Sequence, residues 1–320
     1  MTQPRIVSGM RPTGPLHLGH YFGVLANWIP LMDTHDCFYF VADWHAVTTE
    51  FAAPQKIKGF VPELVKDWVA AGLDPERCTI YRQSDIMAHC ELHLIFSMIT
   101  PLGWLERNPT YKDQKQELAA KEINTYGFLG YPVLQAADIL IYKANAVPVG
   151  QDQLPHVELT REIARRFNYL YEEGFFPEPE ALLTPAAKCP GLDGRKMSKS
   201  YGNAISLGEP MDEVRKKVMS MLTDTNRMRK ADPGDPEVCN LYPYHELMTD
   251  KARLPEIQEG CKNASWGCVD CKKLLLEGMA AFLEPIHARR AELDTNPDQL
   301  WDILEKGRQR ALEESGRVME

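Results

Sequence analysis

The 320-residue sequence lacks several features that would assign it to a special class of protein. It contains no apolar run that approaches the ~20 residues needed for a membrane-spanning helix. Its N-terminus, Met-Thr-Gln-Pro-Arg-Ile, does not have the shape of a secretory signal peptide. Internal repeats and low-complexity tracts are missing as well. We therefore expect a globular protein of the cytoplasm with no membrane partner.

The sequence also lacks an excess of positive charge, because its formal net charge is −9. This balance argues against a general nucleic-acid binder, although a local basic patch is enough to contact an RNA partner. Apolar residues make up 44% of the chain. A chain of this length and composition can bury a sizeable core and is expected to form two domains.

Strand-like and helix-like patterns alternate in the first 200 residues. Short apolar runs predict strands at 6–7, 37–42, 79–82 and 146–149, and helical spacing predicts helices at 57–71, 91–99, 136–142 and 154–170. This alternation is typical of an α/β fold with a parallel sheet covered by helices. The polar residues 106–124 are predicted to form a mobile surface excursion. After residue 205 the patterns are helical, at 211–222, 251–290 and 298–310.

The most informative stretch is residues 8–23, which read S-G-M-R-P-T-G-P-L-H-L-G-H-Y-F-G. A glycine- and proline-rich turn here follows an apolar strand and precedes a helix. His17 and His20 are three residues apart and can share one face of that helix. Free N–H groups at a helix N-terminus suit a phosphate. A structural histidine pair and a metal-binding pair are the alternatives, and the turn context favours a nucleotide-phosphate site.

A second stretch, residues 194–202, reads G-R-K-M-S-K-S-Y-G. Taken alone, this Lys- and Ser-rich loop is typical of a solvated surface. Together with the first stretch it resembles the signature pair of class I aminoacyl-tRNA synthetases. His17-Leu18-Gly19-His20 is similar to the HIGH motif, and Lys196-Met197-Ser198-Lys199-Ser200 matches the KMSKS motif letter for letter. The runs G-Y-P-V-L-Q-A-A-D-I-L and V-P-V-G-Q-D-Q-L-P-H-V-E-L-T-R resemble the tryptophanyl subgroup of this class.

The resemblance implies a Rossmann-like catalytic domain over 1–200, an all-α anticodon-binding domain over 201–295, and a terminal helix over 296–320 that folds back on the first domain. It implies that L-tryptophan is activated with ATP to tryptophanyl-adenylate and pyrophosphate, and is then transferred to the 3′ end of tRNA(Trp). A homodimer is expected from the same resemblance.

The resemblance also implies the roles of individual residues. His17, His20, Lys196 and Lys199 are expected to stabilise charge on the leaving pyrophosphate, with Mg²⁺ between the phosphates. Further contacts to ATP are expected from Arg11, Pro12, Thr13, Gly19, Gly150, Gln151, Asp152, Cys189, Met197, Ser198 and Ser200. Arg11 departs from the family, whose bacterial members often carry Gln there, and we expect it to keep a role at the phosphates. Asp152 has an alternative interpretation as the N-cap of the following helix.

Asp138 is a lone carboxylate in an otherwise apolar helix. Burying a charge without a partner is costly, so this residue requires a specific explanation. One explanation is a core Asp bonded to neighbouring groups, and the other is an acceptor for the indole N–H, which can only donate. The resemblance implies the second. It also implies that Tyr131 and Gln153 contact the substrate amino group and that His45 lines the pocket.

The eight cysteines divide into two sets. Four are scattered and are expected to be core residues or, for Cys189, to adjoin the adenine. The other four are Cys239, Cys261, Cys268 and Cys271. By ligand type, four thiolates suit zinc and an iron–sulfur cluster equally. The segment G-C-K-N-A-S-W-G-C-V-D-C-K-K resembles a branch of the tryptophanyl enzymes that carries a [4Fe–4S] cluster. We therefore favour this cluster over Zn²⁺, with a structural role near the anticodon.

Other functions are compatible with parts of these patterns. A tyrosyl-tRNA synthetase shares the fold and both signature motifs. A small nucleotidyltransferase can use the same His-x-Gly-His turn, but it would not need the helical region or the lysine loop. A non-catalytic, RNA-binding iron–sulfur protein descended from a synthetase is the third alternative, and the intact His17, His20, Lys196 and Lys199 argue against it.

Overall fold

The structure is a computed structural model that describes residues 3–117, 123–183 and 189–320. Its strands are β1 Arg5–Met10, β2 Asp36–Val41, β3 Cys78–Arg82, β4 Ala146–Val149 and β5 Glu180–Leu183. Its α-helices are α1 Leu18–His20, α2 Ala26–Leu31, α3 Asp43–Glu50, α4 Pro54–Ala71, α5 Ala88–Ile99, α6 Leu102–Arg107, α7 Pro109–Glu117, α8 Tyr126–Leu140, α9 Leu154–Leu170, α10 Met211–Ser220, α11 Tyr242–Met248, α12 Leu254–Lys262, α13 Cys268–Thr295 and α14 Asp298–Met319. A π-helical segment, Tyr21–Leu25, joins α1 to α2.

The chain divides into two compact units. The first, called the sheet unit here, contains Met1–Gly14, Asn27–Pro185 and Asn296–Glu320. The second, called the helical unit, contains Pro15–Ala26 and Ala186–Thr295. The chain therefore leaves the sheet unit just after the first strand and returns to it twelve residues later. The domain limits predicted from the sequence are not the limits of these units, and the functions assigned to those domains remain predictions.

The sheet unit is built on a five-stranded sheet with the order β3-β2-β1-β4-β5. All neighbouring strands are parallel, with Ile6 paired to Cys37 on one side and to Ala146 on the other. The predicted α/β class with a parallel sheet is confirmed. The edge strand β5 was not predicted, because its four residues, E-A-L-L, are exposed or half-buried and do not form an apolar run.

Helices α5, α8 and α9 pack together and supply much of the core of the sheet unit. Helix α8 is almost continuously buried, from Phe128 to Leu140, because its side chains are apolar on all faces. The terminal helix α14 packs on β3. At Gly307 the backbone of this helix approaches the backbone of β3 so closely that an added Cβ would lie 1.8 Å from the carbonyl oxygen of Ile80.

The helical unit contains α10 to α13 and the segment Pro15–Ala26. Its core includes Tyr244, Leu275, Met279 and Leu283, all buried. Phe282 of α13 packs against the rings of two residues from the N-terminal segment, with centroids 4.7 Å from Tyr21 and 5.3 Å from Phe22. No strand longer than an isolated bridge is found over 189–320, in agreement with the predicted helical region.

Some predicted elements have different limits in the structure. Within the predicted surface excursion over 106–124, Pro109–Glu117 form the helix α7, which was not predicted, and residues 118–122 lie outside the described part. The helix predicted at 136–142 is the end of the longer α8. Across the described ranges, every helix is too short or too polar to cross a membrane.

Candidate active site

The two signature stretches meet within the helical unit. The backbone N–H of Leu18 donates to the carbonyl of Ile205 at 3.0 Å, and the N–H of Leu207 donates to the carbonyl of Leu16 at 2.8 Å. The N–H of Gly19 also points at the sulfur of Met197, 3.4 Å away. Backbone hydrogen bonds therefore join the His-x-Gly-His turn to the segment just after the lysine loop, and the Gly19–Met197 contact joins it to the loop itself across 178 residues of sequence.

The two histidines of the turn stack on each other. Their ring centroids are 3.7 Å apart, and Nδ1 of His20 accepts from the N–H of His17 at 3.2 Å. Burial, followed by the nearby Lys199, lowers the pKa of His17 to about 4. Burial, followed by His17 and Lys199, lowers the pKa of His20 to about 3. Both rings are therefore neutral at pH 7 without a ligand, and they offer hydrogen bonds rather than positive charge.

The positive charge in this half of the site comes from the lysine loop. Lys196 and Lys199 are both exposed, while Met197 between them is buried. A short turn of 3-10 helix, Lys199–Tyr201, ends at Gly202, whose positive φ of 65° favours glycine. Two ammonium groups are thus presented to solvent beside the stacked histidines.

Asn203, buried and not predicted from the sequence, organises the lysine loop. Its Oδ1 accepts from the N–H of Ser198 at 2.8 Å. Its Nδ2 donates to Asp193 at 2.7 Å and to the carbonyl of Lys196 at 3.2 Å. A Cβ at Gly191 would lie 2.2 Å from this Nδ2, so the loop closes only around a glycine. Ser198 and Lys196 are therefore held through their backbones.

Cys189 precedes this loop, as expected for a residue near the adenine. The next residue, Pro190, pairs with Lys196 in an isolated bridge and accepts a hydrogen bond from the hydroxyl of Tyr244. Burial raises the pKa of the Cys189 thiol to about 12, so the thiol is neutral and unreactive. Its predicted contribution through the backbone is compatible with this geometry.

Asp138 is the centre of a buried polar network in the sheet unit. It is fully buried, and its Oδ1 accepts from Nε2 of Gln83 and from Nδ1 of His89, each at 2.7 Å. Its Oδ2 accepts from Nε2 of His45 at 2.6 Å. On its far side, His89 lies 3.0 Å from the hydroxyl of Tyr142. The predicted residues Asp138 and His45 are thus brought together.

These contacts keep the carboxylate of Asp138 ionised. Burial by itself would raise its pKa, but the hydrogen bonds and charges of His45 and His89 outweigh burial and hold the pKa well below its usual range. A carboxylate oxygen has two lone pairs. Oδ1 already accepts two hydrogen bonds, whereas Oδ2 accepts one and has a lone pair available for another donor.

The remaining predicted residues of the amino-acid half lie nearby in the sheet unit. The hydroxyl of Tyr131 is 2.9 Å from Nε2 of His156. Burial raises the pKa of Tyr131, while the charge of the Arg11 guanidinium, in the same unit, opposes this effect. Arg11 belongs to the turn with Pro12 and Thr13, where the N–H of Thr13 donates to the carbonyl of Arg11 at 2.9 Å.

The segment after β4 is a single 3-10 turn, Gln151–Gln153, preceded by Gly150. A Cβ at Gly150 would lie 2.8 Å from the carboxylate of Asp152, so Asp152 folds back over the glycine. Nε2 of Gln153 donates to Asp152 at 2.9 Å. The N-cap of α9 is Gln153 and makes no side-chain cap, so the alternative of Asp152 as the helix cap is wrong.

The predictions from the sequence missed the polar residues bonded to Asp138 directly or through His89, namely Gln83, His89 and Tyr142, and those bonded in sequence to Tyr131, namely His156 and Asn108. Gln83 and His89 are fully buried, and His156 is almost fully buried. The signal that identified Asp138, a polar residue where burial is expected, was absent for Asn108, which falls in the predicted surface excursion. Gln83 directly follows β3, and His156 lies on the buried face of α9.

The four clustered cysteines line one cavity of about 20 Å³ in the helical unit, together with Arg227 and Trp266. Gly234 packs against one of these cysteines, since a Cβ there would lie 2.7 Å from Sγ of Cys261. Over the described residues, no three or more His, Cys, Asp or Glu side chains stand in an arrangement that could hold a metal ion. The cavity brings the predicted ligands together, and a metal bound by them remains a prediction.

Comparisons with known proteins agree with this geometry. The family described as tRNA synthetases class I (W and Y) matches residues 1–284. A tryptophan–tRNA ligase from Thermotoga maritima is 52% identical, over 99% of this chain and 97% of the relative. The chain belongs to the tryptophan–tRNA ligase family. Another member of this family, from Aquifex aeolicus, is 44% identical over 99% of this chain and 98% of its own length.

Solved structures of the family extend the comparison to the fold. The tryptophanyl-tRNA synthetase of Campylobacter jejuni, solved with ADP and tryptophan, is 33% identical and superposes with a TM-score of 0.89. The match covers 98% of this chain and 97% of that protein. The predicted class I synthetase fold is confirmed, and tryptophan–tRNA ligase family membership sets aside the tyrosyl and nucleotidyltransferase alternatives.

Proposed function

We propose that this protein activates L-tryptophan with ATP, forming tryptophanyl-adenylate and pyrophosphate, and transfers the amino acid to the 3′ end of tRNA(Trp). The observation that carries the proposal is the direct contact between the His-x-Gly-His turn and the Lys-Met-Ser-Lys-Ser loop. Membership of the tryptophan–tRNA ligase family supports the choice of substrate.

The activation step requires positioning and charge stabilisation, but no covalent enzyme intermediate. The tryptophan carboxylate attacks the α-phosphorus of ATP, and pyrophosphate leaves with the electron pair of the broken P–O bond. Lys196 and Lys199 stabilise negative charge on the leaving group, and His17 and His20 donate N–H groups to phosphate oxygens. Mg²⁺ would neutralise part of the same charge. Because these four side chains include no carboxylate, the phosphates themselves would hold the ion.

In this proposal ATP also contacts the turn Arg11-Pro12-Thr13, the glycines Gly19 and Gly150, and the residues Gln151, Asp152, Cys189, Met197, Ser198 and Ser200. Gly19 leaves room for the adenine ring, because it has no side chain. Asp152 offers carboxylate oxygens to the ribose hydroxyls. For Arg11, its position near Tyr131 supports contact with the substrate carboxylate in addition to the predicted role at the phosphates.

The indole side chain of the amino acid is recognised by the buried network around Asp138. Its Oδ2 has a lone pair for the indole N–H, and His45 forms the adjacent wall of the pocket. Tyr131 and Gln153 accept hydrogen bonds from the substrate ammonium group. A ligand without an indole N–H would leave the Asp138 acceptor unpaired, which is the physical basis proposed for selectivity.

The deciding experiment is exchange of labelled pyrophosphate into ATP with each amino acid in turn. Exchange that depends on tryptophan, and not on tyrosine or phenylalanine, is expected. Exchange with tyrosine alone would contradict the substrate, and no exchange with any amino acid would favour the non-catalytic RNA-binding alternative. Aminoacylation of tRNA(Trp), compared with another tRNA, then tests the transfer step.

We infer that the four cysteines hold a [4Fe–4S] cluster, with Zn²⁺ as the alternative. Four thiols line one cavity, and thiolates are the donor type that either group takes. When bound, the metal group would hold α12 and α13 together, because Cys261 and Cys268 belong to these two helices.

Metal and sulfide analysis of protein purified without oxygen separates these possibilities. About four iron and four sulfide per chain would support the cluster, and one zinc would support the alternative. Cys268→Ser should lower the metal content and the thermal stability. Cys90→Ser, which alters a cysteine of the sheet unit, is the matched control. Protein with neither metal would refute both assignments.

The helical region 201–295 is proposed to contact the tRNA anticodon, and basic side chains such as Arg215 and Lys273 support a phosphate contact. A homodimer in the cytoplasm is also proposed. It is supported by an exposed apolar strip on and beside α5, in which Met87, Leu94, Met98 and Leu102 are 57–73% exposed.

A further inference from the structure

The hydroxyl of Tyr131 ends a chain of buried hydrogen bonds within the sheet unit. Its Oη is 2.9 Å from Nε2 of His156, and Nδ1 of His156 is 3.3 Å from Nδ2 of Asn108. The exposed fractions of Tyr131, His156 and Asn108 are 8%, 1% and 6%. Because little water reaches these groups, the donors and acceptors of the protein decide the direction of each hydrogen bond.

Asn108 sets that direction. Its Oδ1 accepts from the backbone N–H of Thr110 at 3.0 Å and of Tyr111 at 3.4 Å, in the first turn of α7. Backbone N–H groups can only donate, so the side-chain atom that faces them is the carbonyl oxygen. The amide nitrogen of Asn108 therefore faces His156. Since an NH₂ group also can only donate, Nδ1 of His156 must be the acceptor.

This arrangement fixes the tautomer of His156. Burial lowers the pKa of His156 to about 4, so the ring is neutral at pH 7 and carries one proton. With Nδ1 as an acceptor, that proton is on Nε2 and is donated to Oη of Tyr131. One lone pair of the hydroxyl oxygen is then used on the His156 side. The other lone pair and the O–H are directed away from it.

We propose that Asn108 and His156 are positioning residues that hold the Tyr131 hydroxyl so that its remaining lone pair accepts an N–H from the substrate ammonium group. The inference rests on the proposed function, which assigns Tyr131 to that group. Neither residue contacts the substrate in this proposal. Both act through Tyr131, and Asn108 also connects its orientation to the first turn of α7.

The test compares two variants of His156 with three ligands. His156→Phe removes both ring nitrogens, whereas the amide nitrogen of His156→Gln can replace the Nε2 donor. Binding of tryptophan, of tryptamine without the carboxylate, and of indole-3-propionate without the ammonium is measured by calorimetry. His156→Phe is expected to weaken tryptophan and tryptamine about three- to tenfold. Indole-3-propionate should bind unchanged, and His156→Gln should restore the lost affinity.

Two outcomes of the ligand series would overturn the inference. Equal losses for all three ligands would show that His156 only supports the fold. A loss confined to tryptophan and indole-3-propionate would show that Tyr131 acts on the carboxylate. If the parent protein binds no tryptophan and shows no pyrophosphate exchange, the proposed function fails together with the inference. If the parent protein shows normal tryptophan-dependent pyrophosphate exchange but the variants give either of the two outcomes above, only the inference fails.

Two further measurements test the chain of hydrogen bonds directly. In a Tyr131→Phe background, His156→Phe should cause no additional loss of tryptophan affinity, because the interaction it removes is already missing. Additive losses would contradict the inference. Long-range proton–nitrogen NMR correlations should show the His156 proton on Nε2, and a proton on Nδ1 would overturn the assigned direction.

Discussion

The backbone N–H of Gly19 lies 3.4 Å from the sulfur of Met197, so the two signature motifs of the chain touch through a glycine. A Cβ at Gly19 would lie 3.1 Å from the ring of His17 and 3.6 Å from Cβ of Met197. The distance to the His17 ring is tight for a Cβ, whereas the distance to Met197 is an ordinary contact. The contact connects the stacked histidines to the lysine loop within the helical unit.

Gly19→Ala is therefore expected to impair use of ATP. The added methyl group must displace the His17 ring or occupy space proposed for the adenine, and we expect a fall in kcat/KM for ATP of about 10- to 100-fold. Gly23→Ala is the matched control, because nothing lies within 4 Å of a Cβ at that position. Pyrophosphate exchange at varied ATP measures both variants. Equal effects of the two substitutions would contradict the proposed role.

Asp138→Asn is expected to weaken selectivity for the indole N–H while keeping the fold. An amide has nearly the same shape as a carboxylate, and His45 can accept from its NH₂ group if the ring changes tautomer. The amide does not offer the same pair of acceptor oxygens to the ligand. The preference for tryptophan over its benzothiophene isostere, which has sulfur in place of N–H, should fall about 100-fold. An unchanged preference in competitive exchange would refute indole recognition by Asp138.

Stability is expected to fall as the pH decreases from about 6.5 to about 4. Burial lowers the pKa of His17 and of His156 to about 4, so the folded state favours their neutral forms, whereas the unfolded chain binds protons near the ordinary pKa of 6.5. The unfolded state thus binds more protons in this window. Within this window, each such histidine lowers the free energy of unfolding by about 1.4 kcal/mol for every unit by which the pH decreases.

Urea unfolding at several pH values measures this effect on the free energy of unfolding. His156→Gln, which cannot titrate, should give a shallower decline between pH 6.5 and 4 than the parent protein. The comparison uses the difference in slope, so a uniform loss of stability from the substitution does not affect it. Identical slopes would show that His156 does not titrate with a lowered pKa.

The exposed apolar strip predicts the assembly state. Leu94 and Met98 lie one turn apart on α5 and are 57% and 73% exposed. If the strip is a dimer interface, Leu94→Glu with Met98→Glu should convert a dimer into a monomer, because each charge would be buried unpaired. Tyr169→Glu, at a position that is 89% exposed on α9, is the control and should leave the assembly unchanged. Sedimentation velocity measures the assembly state of the parent protein and both variants, and a monomeric parent protein would exclude the dimer.

Gly307 and Gly316 offer a matched pair on the terminal helix. Gly307→Ala would push a methyl group against the carbonyl of Ile80 and should lower the free energy of unfolding by about 1–3 kcal/mol. At Gly316 a Cβ meets nothing within 4 Å, so Gly316→Ala should raise the free energy of unfolding by up to about 1 kcal/mol. Urea unfolding tests both, and equal effects would show that α14 does not pack tightly on β3.

The sequence predicted the parts of this protein that depend on local pattern. Apolar runs located β1 to β4, because buried parallel strands are continuously apolar. The edge strand β5 has no such run and was missed. Asp138 was found because a carboxylate stands out in an apolar helix. Its partner Gln83, 55 residues away in the chain, was missed, because only the fold brings the two together, and His45, 93 residues away, was assigned to the pocket only through the family resemblance.

The division of the chain has a practical consequence for studying its parts. The twelve residues Pro15–Ala26 belong to the helical unit, and their backbone pairs with Ile205 and Leu207. A fragment that stops at residue 200 would keep both signature motifs but lose the carbonyl and N–H groups that anchor the first of them. The helical unit therefore cannot be isolated by a simple truncation. Its two parts, Pro15–Ala26 and Ala186–Thr295, must first be joined, by circular permutation or by grafting the N-terminal segment onto the second part.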